Sequence, residues 1–165
     1  MSMSTLRILP VHAGAILVEL ESLERTLALL ETLQQRQLEG VEEVIPAART
    51  LLISFKPWVV SREALVAQLR ALPIDTEVAH SGELVEIPVR YDGEDLAEVA
   101  KHLGITPEEV VRRHTGSEYS VAFTGFAPGF AYLTGGDPIF NVPRRSTPRT
   151  RIPAGSVALA GTFSG

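Results

Sequence analysis

The sequence predicts an α+β protein with a small α/β sandwich in residues 1–83 and a second domain in residues 84–165. Two observations lead to this class. Strand and helix patterns follow the order βαββαβ in the first half, which is typical of a ferredoxin-like fold. In the second half, two short segments have helix patterns. A stretch rich in glycine, proline and arginine follows them and contains short strand patterns. At 165 residues the chain is long enough for two small domains.

The first-half strands are β-branched runs, and each helix pattern begins at a serine that can cap its first turn. The predicted strands are residues 15–20, 41–47, 50–55 and a last one between residues 76 and 89; the helices follow Ser22 and Ser61 and end before Gly40 and at Pro73. The single tryptophan, Trp58, is predicted to pack as a lid over this domain.

The second half opens with two helices whose ends are well marked. Leu96 to Leu103 has apolar residues at helical spacing, and Gly104 follows as a helix-ending glycine. Thr106 combines a T-x-x-E capping box with proline at the first helical position, so a second helix is expected up to about His114. Residues 119–126 and 157–160 are predicted strands.

Composition excludes several classes of protein. Hydrophobic residues at 45% and charged residues at 21% are typical of a globular chain. A net charge of −5 argues against general nucleic-acid binding. The absence of cysteine excludes disulfides, thiolate zinc sites and a cysteine nucleophile, and it fits a cytoplasmic protein. No signal-peptide pattern and no apolar run near the ~18 residues of a membrane span is present.

The most informative sequence is a run near the end of the chain. Residues 125–133 read GFAPGFAYL, and residues 143–161 read PRRSTPRTRIPAGSVALAG. Residues 138–165 contain four arginines and no acidic residue. Guanidinium groups bind carboxylate or phosphate, and proline stiffens the backbone that aims them. An anion or partner site is one interpretation, with two arginines facing the ligand; an exposed basic loop balanced by a neighbouring acidic helix is the other.

Other groups also carry two interpretations. Backbone N–H groups of residues 125–130 could form an anion-binding concavity, or the phenylalanines could fill the core. His114, at a helix end, could act in general acid–base chemistry or have a structural role. No phosphate-binding loop, dinucleotide fingerprint, nucleophile elbow or metal-spaced histidine pair is present, so the sequence alone shows no complete active site and no metal site.

These motifs resemble the family of the 5-oxoprolinase B subunits, also called KipI or allophanate hydrolase subunit 1. The matching segments are residues 125–133, 137–138, 143–145, 147–149 and 153–161, together with IPVRY at 87–91 and RHT at 113–115. The resemblance is specific over residues 86–161 and weak over residues 1–80.

The resemblance implies a fold for the second domain. A cyclophilin-like β-barrel is expected in residues 84–165, after the small α/β domain. Family members continue for several dozen residues past the position of Gly165, so we expect the barrel to be truncated. Three explanations are open: the chain is part of a longer protein, a partner closes the barrel, or the protein is not fully competent. We favour the first.

The resemblance also implies a function. The chain would belong to an ATP-dependent 5-oxoprolinase that opens 5-oxoproline to glutamate. It would be inactive alone and would act with two partners, the C subunit (a KipA-like protein) and the A subunit. ATP is the implied cofactor of the complex, and Mg²⁺ is the ion that could accompany it. Two alternatives are a regulatory protein that inhibits a sensor histidine kinase, and part of a hydrolase acting on allophanate.

The candidate site residues follow from the matched motifs. We hypothesise that Arg144, Arg149 and Arg151 clamp a phosphate or carboxylate. The candidate catalytic residues are His114, Arg144, Arg149 and Arg151. The candidate substrate- or partner-binding residues are Phe126, Pro128, Gly129, Phe130, Tyr132, Arg145, Pro153, Gly155 and Ser156.

Overall fold

The computed structural model describes residues 6–74 and 82–165. The chain divides into two compact units, Met1–His80 and Ser81–Gly165. Within the described residues they contain two antiparallel four-stranded sheets and four helices, as expected of a mixed α/β protein. The predicted domain boundary between residues 83 and 84 stays a prediction.

The first unit is one antiparallel sheet with two helices. Its elements are β1 (Arg7–His12), β2 (Ala15–Glu19), α1 (Leu23–Arg36), β3 (Val41–Pro46), β4 (Thr50–Phe55) and α2 (Arg62–Ala71). The strand order is β1-β2-β4-β3. Ser22 and Ser61 cap the helices as predicted, because each side chain accepts a hydrogen bond from a backbone N–H of the first turn.

The βαββαβ order is wrong for the described residues, which follow ββαββα. The sequence analysis missed β1, which pairs with β2 in the register Arg7↔Glu19 and forms the sheet edge beside it. Pro10 weakens the strand pattern of β1, yet an edge strand tolerates proline because one side of it makes no ladder hydrogen bonds. Of the predicted last strand, residues 82–89 form no strand and residues 76–81 lie outside the described residues.

One face of this sheet holds the core. Buried residues alternate along β4, where Leu51, Ile53 and Phe55 are each no more than 2% exposed. Their partners come from β2 and from the apolar faces of α1 and α2, among them Leu29 and Leu65. The helices therefore cover one face of the sheet.

The prediction for Trp58 is wrong. Its side chain is 81% exposed, so it is not a lid over the core. The segment between β4 and α2 instead uses Val60, which is buried in the core cluster two residues later. A local pattern could not show which of these neighbouring apolar residues points inward.

The second unit begins with the two predicted helices. Its elements are α3 (Leu96–Leu103), α4 (Pro107–Thr115), β5 (Ser120–Thr124), β6 (Ala131–Thr134), β7 (Leu159–Ala160) and β8 (Phe163–Ser164). Gly104 ends α3 with φ of +69°, a conformation that glycine adopts without strain. Thr106 caps α4, but Glu109 pairs with Arg112 and Arg113 and does not complete the capping box.

The second sheet is open. Its order is β5-β6-β8-β7, all antiparallel, and β5 and β7 do not pair with each other to close it. The barrel expected from the resemblance is therefore not formed by the described residues. No helix in the described parts of the chain is long and apolar enough to cross a membrane.

Candidate functional site

His114 lies at the centre of a hydrogen-bonded cluster in the second unit. The last turn of α4 places its ring so that Nδ1 is 2.6 Å from the Tyr91 hydroxyl and Nε2 is 3.1 Å from Ser164 Oγ. The rings of Tyr91, Tyr119 and Phe140 surround it at centroid distances of 5.0–5.8 Å. Both ring nitrogens thus have a partner, and the ring also packs against apolar surface.

Burial controls the charge of this cluster. It lowers the pKa of His114, because a buried imidazolium loses its hydration. Burial also raises the pKa of Tyr91 and of Tyr119, so both phenols stay protonated at neutral pH. The cluster is therefore neutral at pH 7.

The lowered pKa of His114 links stability to pH. Between the lowered folded value and the ordinary histidine pKa of ~6.5, the unfolded chain binds more protons than the folded chain. This contribution to stability is therefore complete above pH ~6.5 and is lost as the pH falls from that value through the lowered folded pKa of His114.

The hydrogen bonds link Ser164, His114 and Tyr91 in the way that an active site links a serine nucleophile to its histidine base. Ser164, however, is only 4% exposed and lies in β8, where it pairs with residues of both neighbouring strands. A nucleophile needs access to substrate, so the arrangement in the described residues fits the structural interpretation of His114.

The predicted loop after β5 is a pair of tight turns joining β5 to β6. We call residues 125–130 the aromatic loop. The N–H of Ala127 donates to the Gly125 carbonyl at 2.8 Å around Phe126, whose φ is +66°. The N–H of Phe130 donates to the Ala127 carbonyl at 3.0 Å, with Pro128 and Gly129 at the turn centre and Gly129 at φ +80°. Proline and glycine at the centre of the second turn suit this backbone path.

Five aromatic rings contact one another at the end of this hairpin. Tyr132 stacks on Phe123 at 4.5 Å, and Phe163 and Phe130 meet Tyr132 edge-on. Phe126 contacts the Phe130 ring, with 5.5 Å between the ring centroids, but its side chain is 80% exposed. Four of the five rings therefore pack together, whereas Phe126 projects into solvent.

The arginine loop, residues 143–153, is held by acids at the start of α3. Arg149 donates to Glu94 at 2.6 Å and to Asp95 at 2.5 Å. Arg145 donates to Asp95 at 3.0 Å and to Glu98 at 3.3 Å. The hydrogen bond to Asp95 is the main cause that raises the pKa of Arg149. These pairs are those of a basic loop balanced by a neighbouring acidic helix.

The other two arginines of the loop are unpaired. No hydrogen bond or ion pair joins Arg144 or Arg151 to another residue in the described parts of the chain. Both are exposed. Just beyond, Pro153, Gly155 and Ser156 form an exposed turn in which the Ser156 N–H donates to the Pro153 carbonyl at 3.2 Å. The paired arginines thus contact acids of the same chain, and the expectation that two arginines face a ligand stays a prediction.

The structure separates the predicted site residues into three groups: the His114 cluster, the aromatic loop with Tyr132, and the arginine loop with its following turn. Sequence reasoning missed three residues that organise them, Tyr91, Ser164 and Asp95. Tyr91 lies in the IPVRY segment already matched to the family, which was the available signal. Ser164 is 50 residues from His114, and Asp95 is 54 residues from Arg149, so no local pattern relates them.

Comparisons with known proteins agree on the family. Residues 6–165 match the model of the carboxyltransferase domain, subdomain C and D. The chain is 38% identical over 148 residues to the 5-oxoprolinase B subunit of Bacillus subtilis, covering 81% of this chain and 62% of that protein. It is 35% identical over 168 residues to the 5-oxoprolinase B subunit of Haemophilus influenzae, covering 97% of this chain and 78% of that protein. The chain thus spans less than two thirds of the Bacillus relative.

Solved structures share the architecture. The crystal structure of TTHA0988 matches 97% of this chain and 32% of its own, with a TM-score of 0.71 and 36% identity. The urea amidolyase of Kluyveromyces lactis matches 99% of this chain and 12% of its own, with a TM-score of 0.65. At 16% identity, this second likeness shows the fold alone.

The resemblance found from the motifs is confirmed by a family match over nearly the whole chain and by relatives above one-third identity. The chain belongs to the family of the carboxyltransferase domain, subdomain C and D, which it shares with the 5-oxoprolinase B subunits.

Proposed function

We propose that this chain is part of the B subunit of an ATP-dependent 5-oxoprolinase, which acts with the C and A subunits of that enzyme. The observation that carries the proposal is that three relatives at 35–38% identity, from three bacteria, are all named as 5-oxoprolinase B subunits. A protein named in this way implies further subunits in its complex. The reaction is the opening of 5-oxoproline to glutamate.

The chemistry explains why such an enzyme would carry cationic groups. A lactam is a stable amide, so its opening needs activation of the ring carbonyl, and 5-oxoproline also bears a carboxylate. Arginine recognises carboxylate and phosphate through paired N–H donors. Arg144 and Arg151 are the two arginines of the arginine loop that no acid of the described chain engages. We assign them to an anionic group of the substrate in the assembled complex.

The described residues are better suited to bind an anion than to bind a nucleotide together with its metal ion. No group of three or more carboxylates and imidazoles that could hold a metal ion occurs within the described ranges. Arg145 and Arg149 are already engaged by Asp95, just before α3. The proposal therefore assigns this chain no step that passes through ATP or Mg²⁺.

The proposal is tested by ATP-dependent release of glutamate from 5-oxoproline, using the purified candidate A, B and C subunits of one organism. We expect glutamate only when all three proteins and ATP are present, with loss of release when this chain's full-length protein is omitted. Full activity without it would contradict the proposal. The control is the same mixture with a heat-denatured B subunit.

The arginine assignment makes its own prediction. In the assembled enzyme we expect Arg144→Ala and Arg151→Ala each to lower kcat/KM for 5-oxoproline by roughly tenfold or more, since a hydrogen-bonded charge pair is lost. Arg70→Ala, which removes an exposed arginine of α2, serves as the matched control and should leave kcat/KM unchanged. Normal turnover in both loop variants, with normal assembly, would show that the loop does not bind substrate.

A second candidate function is regulation through protein binding, as in a kinase inhibitor. The observation in its favour is that the arginine loop is exposed along its length, which a binding surface requires and a closed active site does not. Absence of glutamate release from a mixture in which the three subunits are folded and associated would favour this candidate.

A further inference from the structure

Asp95 stands at the start of α3, but its side chain does not cap the helix. The other three helices of the described chain begin at Ser22, Ser61 and Thr106, whose side chains each accept a hydrogen bond from a first-turn N–H. Those residues have an extended backbone, whereas Asp95 has helical φ and ψ of −86° and −8°, and within the described residues its carboxylate makes no capping bond. Aspartate is among the preferred capping residues, so this carboxylate has another use.

The arginine loop binds this carboxylate at two points. Oδ1 of Asp95 accepts hydrogen bonds from Arg145 Nη1 at 3.0 Å and from Arg149 Nη2 at 2.5 Å. Glu94 and Glu98 each accept one bond from one of these arginines. Of the three acids, Asp95 is the one that contacts both arginines in the described chain. A single exposed ion pair contributes little, but one oxygen that two guanidinium groups share ties two points of the loop together.

Little else holds the loop in place. Residues 143–153 form no helix or strand. No backbone hydrogen bond joins residues 144–151 to any other residue that the structure describes. The position of this segment therefore depends on the side-chain pairs of Arg145 and Arg149.

The two fixed residues are close neighbours of the two arginines that no acid of the described chain engages. Arg144 directly precedes Arg145, and Arg151 follows Arg149 by two residues. Pro148 lies between the fixed residues and restricts the backbone there, because its ring fixes φ. A constraint on residues 145 and 149 thus also restricts where residues 144 and 151 can lie.

We infer that Asp95 is a positioning residue, which holds the arginine loop so that Arg144 and Arg151 are preorganised for the anionic group of the substrate. The inference rests on the proposed function, which supplies that substrate. A carboxylate repels an anion, so Asp95 acts through the arginines and does not touch the substrate itself. A loop that is fixed before binding loses less conformational entropy when the anion arrives.

The test uses Asp95→Asn, which keeps the size of the side chain and removes its charge. Asparagine is also a good residue at a helix start, so the melting temperature of the full-length protein should not change. Trypsin cleavage of the Arg151–Ile152 bond, followed by mass spectrometry, should become about threefold faster or more, because proteolysis follows the population of released loop. In the assembled enzyme the KM for 5-oxoproline should rise roughly fivefold or more, with kcat within about twofold.

Asp92→Asn is the matched control. Asp92 is an exposed aspartate three residues before Asp95, and it pairs with Arg90, outside the arginine loop. Its cleavage rate and KM should equal those of the unmodified protein. Arg149→Gln removes one partner of Asp95, and the double variant with Asp95→Asn should have a KM within about twofold of the larger single effect, since both changes break the same contact.

Four outcomes would contradict the inference. Unchanged cleavage in Asp95→Asn, or faster cleavage with an unchanged KM, would overturn it while glutamate release by the unmodified enzyme upholds the proposed function. A raised KM with unchanged cleavage would overturn it as well, since Asp95 would then act without the loop. So would fully multiplicative effects on KM in the double variant. No glutamate release by the unmodified assembly would overturn the proposed function and this inference together.

Discussion

Replacing His114 with alanine is expected to lower the free energy of unfolding of the second unit by about 2–4 kcal/mol. The change leaves a cavity among the rings of Tyr91, Tyr119 and Phe140. It also leaves the hydroxyl groups of Tyr91 and Ser164 without the hydrogen bonds they make to the imidazole. All three tyrosines of the chain lie in this unit, so urea unfolding followed by tyrosine near-UV circular dichroism reports on it.

The same measurement between pH 5 and 8 separates the charge of His114 from its packing. The unmodified protein should lose stability as the pH falls below ~6.5, because the folded pKa of His114 is lowered by burial. His114→Gln, which keeps one amide near the Ser164 hydroxyl, should lose less stability than alanine and show a smaller slope with pH. His102→Ala, which removes an exposed histidine of α3, is the control and should retain the stability of the unmodified protein. Equal stability in His114→Ala would contradict the structural assignment.

The second large effect is expected at the centre of the first unit. Phe55→Ala should lower its free energy of unfolding by about 3–5 kcal/mol, because a fully buried ring is replaced by a cavity. Phe55 ends β4 and packs in the core cluster between the sheet and its two helices. The loss is measured by hydrogen exchange of the backbone amides of β2 and β4, which pair with each other in the sheet of this unit.

Val11→Ala is the control for that measurement. Val11 lies on the edge strand β1 and is 54% exposed, so its truncation should change the free energy of unfolding by no more than about 0.5 kcal/mol. A loss of similar size in both variants would mean that the core does not lie between β4 and the helices.

The sequence determined the features whose causes lie within a few residues. Ser22, Ser61 and Thr106 each begin a helix because a side-chain oxygen three residues away satisfies a first-turn N–H. Gly104 ends α3 because glycine accepts a positive φ without strain. The turn at Pro128 and Gly129 was likewise specified by residue type. The family, too, followed from the motifs in residues 125–161.

Tertiary structure alone decided which of these local features meet. The sequence offered a neighbouring acidic helix as one interpretation of the basic loop but did not single out Asp95, which accepts hydrogen bonds from Arg145 and Arg149, 50 and 54 residues away. Ser164 and Tyr91 carried no sign that they would hold the two nitrogens of His114. The edge strand β1 was missed because its pairing energy comes from β2, not from its own pattern. Capping and turns depend on neighbours in sequence, whereas ion pairs, ring clusters and strand pairing depend on how the folded chain brings distant residues together.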